Sequence, residues 1–194
     1  MNLALIALAT AASPPARTIW TNEEQVDFAR EAGTAVPAWT GFMVDPGGRP
    51  VAIDRFARPD GSALPPSLHR QGDGWSAPGI ELRRARNFRC WIAVPRQVAG
   101  KEEWLFARDL KVHDGGGRVT VGGGTSGYRS VTIRLRNVIW PAPSRNKPSL
   151  VLYVFDQPLD EHAVSYGWAD PDARLIGVNL RFMQASCSPE ETEK

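Results

Sequence analysis

Alternating apolar and polar positions are the strongest structural signal in this sequence. In the segments 88–94, 131–136 and 176–182, one of the two alternating sets of positions is apolar throughout. Because successive side chains of a strand point to opposite faces, this pattern predicts antiparallel strands with one face on a core. Residues 150–155 form an unbroken apolar run, which predicts a central strand buried on both faces.

Shorter apolar runs between turn residues predict additional strands, at 40–44, 50–56, 103–112, 118–121 and 163–168. The run at 50–56 starts with Pro50, which predicts an edge strand because proline lacks the N–H that a central strand donates. Residues 59–74 are rich in proline and glycine and are predicted to form a loop. We therefore predict a mainly β fold of about eight strands, either an antiparallel β-sandwich or a partly open barrel.

One short N-terminal helix is predicted from Asn22 to Ala32. Thr21 and Glu24 have the spacing of a capping box, in which the two side chains accept hydrogen bonds from backbone N–H groups of the first turn. Gly33 supplies a helix stop, and the acidic first turn suits the helix dipole. We expect this helix to lie on the surface.

Residues 1–13 have the pattern of a signal peptide. Leu3 to Ala9 is apolar, Ala9-Thr10-Ala11 fits a small-x-small cleavage site, and Pro14 prevents a helix from continuing. The segment is too short to span a bilayer, which takes about 20 apolar residues. We therefore predict a periplasmic or secreted protein with one domain at 14–188 and a polar tail at 189–194. The alternative is an apolar arm packed on a cytoplasmic domain.

The two cysteines, Cys90 and Cys187, are expected to form a disulfide bond if the protein is exported. Such a bond would close a loop of about 100 residues, worth roughly 4–5 kcal/mol in the chain-entropy model. Strand phase places Cys90 on the same face as Phe88 and Ile92, toward the core. Two separate thiols in a reducing cytosol are the alternative, and the absence of C-x-x-C spacing argues against a redox or zinc pair.

Charge and composition argue against one broad class of function. The chain of 194 residues carries 23 basic and 21 acidic residues, a net charge of +2. Proteins that bind nucleic acid through phosphate contacts concentrate positive charge, so no nucleic-acid partner is expected. Seven tryptophans stand out in the composition, because a buried indole N–H needs a hydrogen-bond partner.

Motifs for catalysis or metal binding are weak. The glycine clusters 115–117 and 122–124 lack the lysine of a phosphate loop and are predicted to form hairpin turns or a flexible loop. His113 and His162 are the weak catalytic candidates, with acidic residues near each but no Gly-x-Ser-x-Gly motif. The acidic segments 156–162 and 170–172 match no calcium-loop pattern, so neither a metal nor a cofactor is predicted.

The most informative candidate site is the sheet face opposite the core. Strand phase points a set of arginine and tryptophan side chains away from the core: Arg89, Trp91, Arg134, Arg136, Trp140 and Arg181. An open face of this composition could stack on sugar rings or hold anionic groups. The alternative is that the side chains only cover the sheet or that the helix packs there.

These observations predict a non-catalytic extracytoplasmic module. Its expected ligand is an envelope component, a glycan or an anionic polymer, bound at the arginine and tryptophan positions. The alternative is a small secreted hydrolase that uses His113 or His162 with a nearby acidic residue. The first prediction is favoured because it needs only residues that strand phase already groups together.

Overall fold

The computed structural model describes residues 17–190. This part of the chain contains fourteen strands, one helix and a short 3-10 turn, joined by turns and loops. The helix α1 spans Glu23–Glu31, and the 3-10 turn spans Gly124–Ser126. In chain order the strands are β1 (Thr18–Thr21), β2 (Gly41–Val44), β3 (Pro50–Ala52), β4 (His69–Gln71), β5 (Gly74–Ser76), β6 (Arg83–Ala85), β7 (Asn87–Val98), β8 (Lys101–His113), β9 (Gly115–Val121), β10 (Val131–Val138), β11 (Ser149–Phe155), β12 (Ser165–Ala169), β13 (Ile176–Leu180) and β14 (Met183–Pro189). The predicted signal segment 1–13 lies outside the described residues.

Two four-stranded antiparallel sheets enclose the main hydrophobic core. One has the strand order β12-β11-β10-β9 and the other the order β13-β14-β7-β8. The inward side chains of both sheets form one cluster, in which Ile92, Ile133 and Leu152 are fully buried. The predicted mainly β fold of sandwich type is confirmed, and the described sheets do not close into a barrel.

Strand phase was sufficient to place the core residues of β7, β10 and β13. Ile133 and Leu135 of β10 are buried in the core cluster, as their alternation predicts. The apolar run at 150–155 becomes β11, which pairs with β10 on one side and β12 on the other. The prediction of a central strand is therefore confirmed.

A third sheet was predicted only in part. Its strands β2 and β3 match the strands predicted at 40–44 and 50–56, whereas β1, β6 and the hairpin of β4 and β5 were not predicted. This sheet has the order β3-β2-β1-β6, and β3 lies at its edge, as Pro50 predicts. The prediction of a loop throughout 59–74 is wrong, because β4 lies within it and pairs with β5. Strands of three or four residues are too short to show a period of two, and their pairing partners are distant in sequence.

The disulfide bond between Cys90 and Cys187 is confirmed. Cys187 lies within β14, directly opposite Cys90 of β7, and their Cα atoms are 4.1 Å apart. The sequence predicts that Cys187 lies just beyond a strand that ends near Met183. In the structure that strand is β13, and Met183 begins a further strand, β14, which contains Cys187 and ends at Pro189. Glu190 N still donates to Asn87 O at 2.8 Å, so the start of the predicted polar tail is part of the sheet.

The start of α1 differs from the predicted capping box. Thr21 Oγ1 donates to Gly115 O at 3.0 Å, and Glu24 binds Arg136 instead of the helix backbone. Asn22 occupies the N-cap position without a side-chain cap and instead accepts a hydrogen bond from Thr40 N at 2.7 Å. The capping-box prediction is wrong because more distant partners bind both side chains.

The first glycine cluster is not a turn. Gly115–Gly117 begin β9, which passes close to α1 and the end of β8. A Cβ atom on Gly116, where φ is +85°, would lie 2.4 Å from Glu23 Cγ. Only glycine allows both this backbone conformation and this close approach. The second cluster, 122–124, does lie in a turn, as predicted, and all three of its glycines have positive φ.

Candidate functional site

The structure divides the six predicted ligand-face residues between the two sheets of the sandwich. Arg89 and Trp91 lie on β7, Arg134 and Arg136 lie on β10, Trp140 follows β10, and Arg181 lies in the turn after β13. Because β7 and β10 belong to opposite sheets, their outward side chains point in opposite directions. The expectation of one shared face is therefore wrong.

Helix α1 covers the outer face of β10. Arg134 is 7% exposed and Arg136 is 3% exposed, so neither is open to a ligand as expected. The alternative considered from the sequence, packing of the helix on this face, is what the structure shows. Glu23, Glu24 and Asp27 are also buried, so the helix is not a simple surface helix.

The covered face contains a cluster of ion pairs. Arg134 Nη2 donates to Glu23 Oε1 at 2.5 Å and also contacts the carboxylate of Asp27. Arg136 Nη1 lies 2.9 Å from Asp27 Oδ2, and Arg136 Nε donates to Glu24. Three acidic side chains of one helix are thus paired with the outward arginines of one strand.

Opposite charges within the cluster outweigh the effect of burial for Asp27 and Arg136 but not for Glu24. Burial raises the pKa of Asp27, but the charges of Arg134 and Arg136 outweigh burial and bring the pKa below its ordinary value. Burial raises the pKa of Glu24 above its ordinary value despite the opposing charge of Arg136. Burial lowers the pKa of Arg136, yet Glu24 and Asp27 more than compensate and raise it. The cluster is structural, because its charges are used within the protein.

An aromatic cleft lies beside this cluster, at the C-terminal end of α1. Its volume is about 190 Å³. Five aromatic side chains line it, together with Glu31, Arg136 and two valines, and the aromatic residues are Phe28, Trp140, Tyr153, Tyr166 and Trp168. The cleft therefore includes two of the predicted ligand-face residues, Arg136 and Trp140.

The register of the sheet arranges these aromatic side chains in rows. Tyr153 of β11 is directly opposite Tyr166 of β12, and their ring centroids are 6.3 Å apart. Trp168, two residues further along β12, meets Tyr166 edge to face at 6.0 Å. Tyr166 is 58% exposed and Trp168 is 67% exposed, so both rings present apolar surface to solvent.

Polar groups at the cleft are few. The carboxylate of Glu31 is well exposed and lies 3.6 Å from Arg136 Nη1. The guanidinium of Arg136 lies over the ring of Phe28, 5.1 Å from its centroid. Burial raises the pKa of Tyr153 above its ordinary value, and the hydroxyl of a tyrosine can donate a hydrogen bond. This combination offers ring faces for stacking and a small number of hydrogen-bonding groups.

Tyr166 and Trp168 were not predicted as site residues. Val164, Tyr166 and Trp168 are alternate residues of the predicted strand 163–168 and therefore share one face. A face made of apolar residues usually points to the core. In the structure the other phase faces inward, where Gly167 fits against Val178 and Ala169 packs on the core. Alternation alone identified the strand but not which of its faces is buried.

A second, flatter aromatic surface contains the predicted residue Trp91. Its ring stacks on Phe106 of β8 at 6.1 Å, and Phe106 in turn contacts Trp104 at 6.5 Å. Arg89, on the same outer face, pairs with Asp109 at 3.3 Å. A ligand-binding role for Arg89, Trp91 and Arg181 stays a prediction.

Within residues 17–190, neither catalytic candidate has an acidic hydrogen-bond partner. His113 is 1% exposed, and neither of its ring nitrogens has a hydrogen-bond partner within residues 17–190. The neighbouring carboxylate of Asp114 instead accepts from Arg86 Nε at 2.6 Å. His162 is exposed in the loop before β12 and makes no side-chain hydrogen bond to a described acidic residue. The geometry therefore offers no acid–base pair at either histidine.

The burial of His113 predicts a specific acid sensitivity. Burial lowers the pKa of His113 to about 4 from 6.5, so between these pH values the unfolded chain binds a proton that the folded protein excludes. The free energy of unfolding should thus fall as the pH falls through this window, by about 3 kcal/mol in total. His113→Leu should flatten this slope in urea unfolding measured from pH 7 to pH 4. His162→Leu is the control, and an unchanged slope in His113→Leu would contradict the prediction.

Acidic, histidine and cysteine side chains do not cluster in metal-binding groups among the described residues. No three His, Cys, Asp or Glu side chains between residues 17 and 190 come together as a metal ion would require. The acidic segment 170–172 forms a turn, in which Asp172 N donates to Asp170 Oδ1 at 3.0 Å. In the same part of the chain, no helix is long and apolar enough to cross a membrane.

Comparison with known proteins assigns no family. No protein-family model matches the chain, and searches of curated proteins and of solved structures return no significant match. The aromatic cleft is therefore the feature on which a functional inference rests.

Proposed function

We propose that this chain is a non-catalytic module that binds a glycan in the aromatic cleft. The observation that carries the proposal is the pair of exposed rings, Tyr166 and Trp168, at the edge of a concave site lined by three further aromatic side chains. Ligand sites are typically concave and apolar with a few polar groups that orient the ligand.

The chemistry of a sugar fits this lining. A pyranose ring has an apolar C–H face that can pack on an aromatic ring, and hydroxyl groups around its edge. Glu31 can accept hydrogen bonds from those hydroxyls, and the Tyr153 hydroxyl can donate one. The exposed apolar area of Tyr166 and Trp168 would be removed from water on binding, which favours association.

We further propose a periplasmic or secreted location, and therefore a glycan of the cell envelope or the surroundings. The Cys90–Cys187 disulfide fits an oxidising compartment. The signal-peptide pattern at 1–13 is the second support for export.

Removing the exposed ring of Trp168 should abolish most of the binding. The purified protein is applied to immobilised fragments of cellulose, chitin, xylan and mannan, and affinity for any retained fragment is measured by calorimetry. Trp168→Ala should weaken binding about 30-fold, as expected for an aromatic anchor worth about 2 kcal/mol. The ring lies at the surface, so the variant should keep the melting temperature of the wild type.

Trp104→Ala is the matched control, because Trp104 is also exposed but lies on the other sheet. It should leave binding unchanged. Retention of none of the fragments, or an equal loss of affinity in both tryptophan variants, would rule out glycan binding at the cleft.

A further inference from the structure

A second concave site lies on the small third sheet. It is a groove of about 340 Å³ with no lining residue in common with the aromatic cleft. Two arginines, two tryptophans and one aspartate dominate its lining: Trp20, Arg70, Asp73, Trp75 and Arg84. Strands β1, β4, β5 and β6 supply the arginines and tryptophans.

Each arginine of the groove is paired with a tryptophan across two neighbouring strands. Arg84 of β6 is directly opposite Trp20 of β1, and Arg70 of β4 is directly opposite Trp75 of β5. In a sheet, directly opposite residues project from the same face and lie side by side. The lining of the groove therefore includes two arginines, and each has a tryptophan as its cross-strand neighbour.

Packing holds the two halves of the groove together. The ring of Trp75 meets that of Phe42 edge to face at 5.4 Å, and Phe42 is directly opposite Trp20 in the sheet. A Cβ atom on Gly74 would be in ordinary contact with Trp20, 3.5 Å from its Cη2. The β4–β5 hairpin thus lies against the third sheet, and the groove exists before a ligand binds.

Among the described residues, no acidic side chain forms an ion pair with either arginine of the groove. Across residues 17–190, neither Arg70 nor Arg84 lies within 4.0 Å of a carboxylate, which contrasts with the clustered arginines under α1. Arg70 Nε donates to Gly72 O at 3.3 Å. Asp73 is the single acidic residue of the lining, so the groove carries an excess of positive charge.

We infer that this groove binds a sugar ring that carries an acidic group, either a carboxylate or a phosphate. Guanidinium groups bind such oxygens through paired, charge-assisted hydrogen bonds. The indoles of Trp20 and Trp75 supply ring faces, and Asp73 can accept a hydrogen bond from a hydroxyl group. The inference goes beyond the proposed function, because it concerns another site and requires a charged ligand.

Matched acidic and neutral sugars test the inference. The protein is titrated by calorimetry at low salt with trigalacturonic acid and its methyl ester, and with glucose 6-phosphate and glucose. We expect binding of at least one acidic member and of neither neutral partner. Arg70→Ala and Arg84→Ala should each weaken that binding at least about tenfold, as loss of a charge-assisted hydrogen bond does. The acidic sugar that binds identifies the anionic group.

Two controls separate a specific site from a general charge effect and from the cleft. Arg174→Ala removes the same charge from an exposed turn and should leave the affinity unchanged. Trp168→Ala, which should impair the cleft, should also leave it unchanged. All variants should keep the wild-type melting temperature.

Several results would overturn the inference. These are binding of neither acidic sugar, equal binding of a neutral partner, or an equal effect of Arg174→Ala. Tighter binding of a short single-stranded oligonucleotide than of either acidic sugar would assign the groove to another ligand class.

Discussion

Replacing Asp27 with alanine should lower the free energy of unfolding by about 3–5 kcal/mol, because a buried ion pair that loses one partner leaves an uncompensated charge in the interior. Asp27 is 5% exposed, and its carboxylate contacts both Arg134 and Arg136. Removing the carboxylate would leave two buried guanidinium groups with less opposing charge. Urea unfolding at pH 7 measures the change.

Two comparisons show whether charge is the cause. Asp27→Asn keeps the size and part of the hydrogen bonding but removes the charge, so it should be nearly as destabilising as alanine. Asp156→Ala breaks a half-exposed pair with Arg129 and should cost at most about 1 kcal/mol. If Asp27→Ala costs no more than Asp156→Ala, the covered face is not held by its ion pairs.

Removing the disulfide with the double variant Cys90→Ala/Cys187→Ala should cost about 4–5 kcal/mol, because the bond restricts the unfolded chain across a long loop. The two cysteines are separated by 97 positions in the sequence and lie directly opposite each other in β7 and β14. Both positions are buried, and alanine leaves no polar group there. Thermal and urea unfolding measure the loss.

Reduction of the wild-type protein provides an independent check. Dithiothreitol should lower the stability of the wild type toward that of the double variant and should leave the double variant unchanged. A double variant within about 1 kcal/mol of the oxidised wild type would contradict the entropic role of the bond. The same result would mean that the stability of the domain does not require an oxidising compartment.

Local pattern was enough to find the long strands and the disulfide. Strand phase placed Ile133 and Leu135 in the core, and it placed Cys90 on the core face. A period of two follows directly from the geometry of one strand, so no knowledge of its neighbours is needed. In the third sheet, β2 and β3 correspond to the strands predicted at 40–44 and 50–56, whereas β1 and β6 were found only in the structure.

The candidate site shows where local pattern fails. The alternation along β10 correctly predicted that Arg134 and Arg136 point away from the core. It could not predict that another element covers that outer face. Their partners, Asp27 and Glu24, precede them by 107 and 112 positions. Glu23 and Glu24 fitted a helix start equally well, because negative charge near the N-terminus is favourable in any helix.

The sequence by itself determined the β class, the core phase of the long strands and the pairing of Cys90 with Cys187. Each of these depends on alternation along one strand or on there being only two cysteines. Tertiary structure alone decided that α1 buries the outward arginines of β10 and that Tyr166 and Trp168 stay exposed. It also brought Arg70 and Arg84 into one groove. These outcomes depend on which distant elements pack together, and a single strand's alternation does not encode that choice.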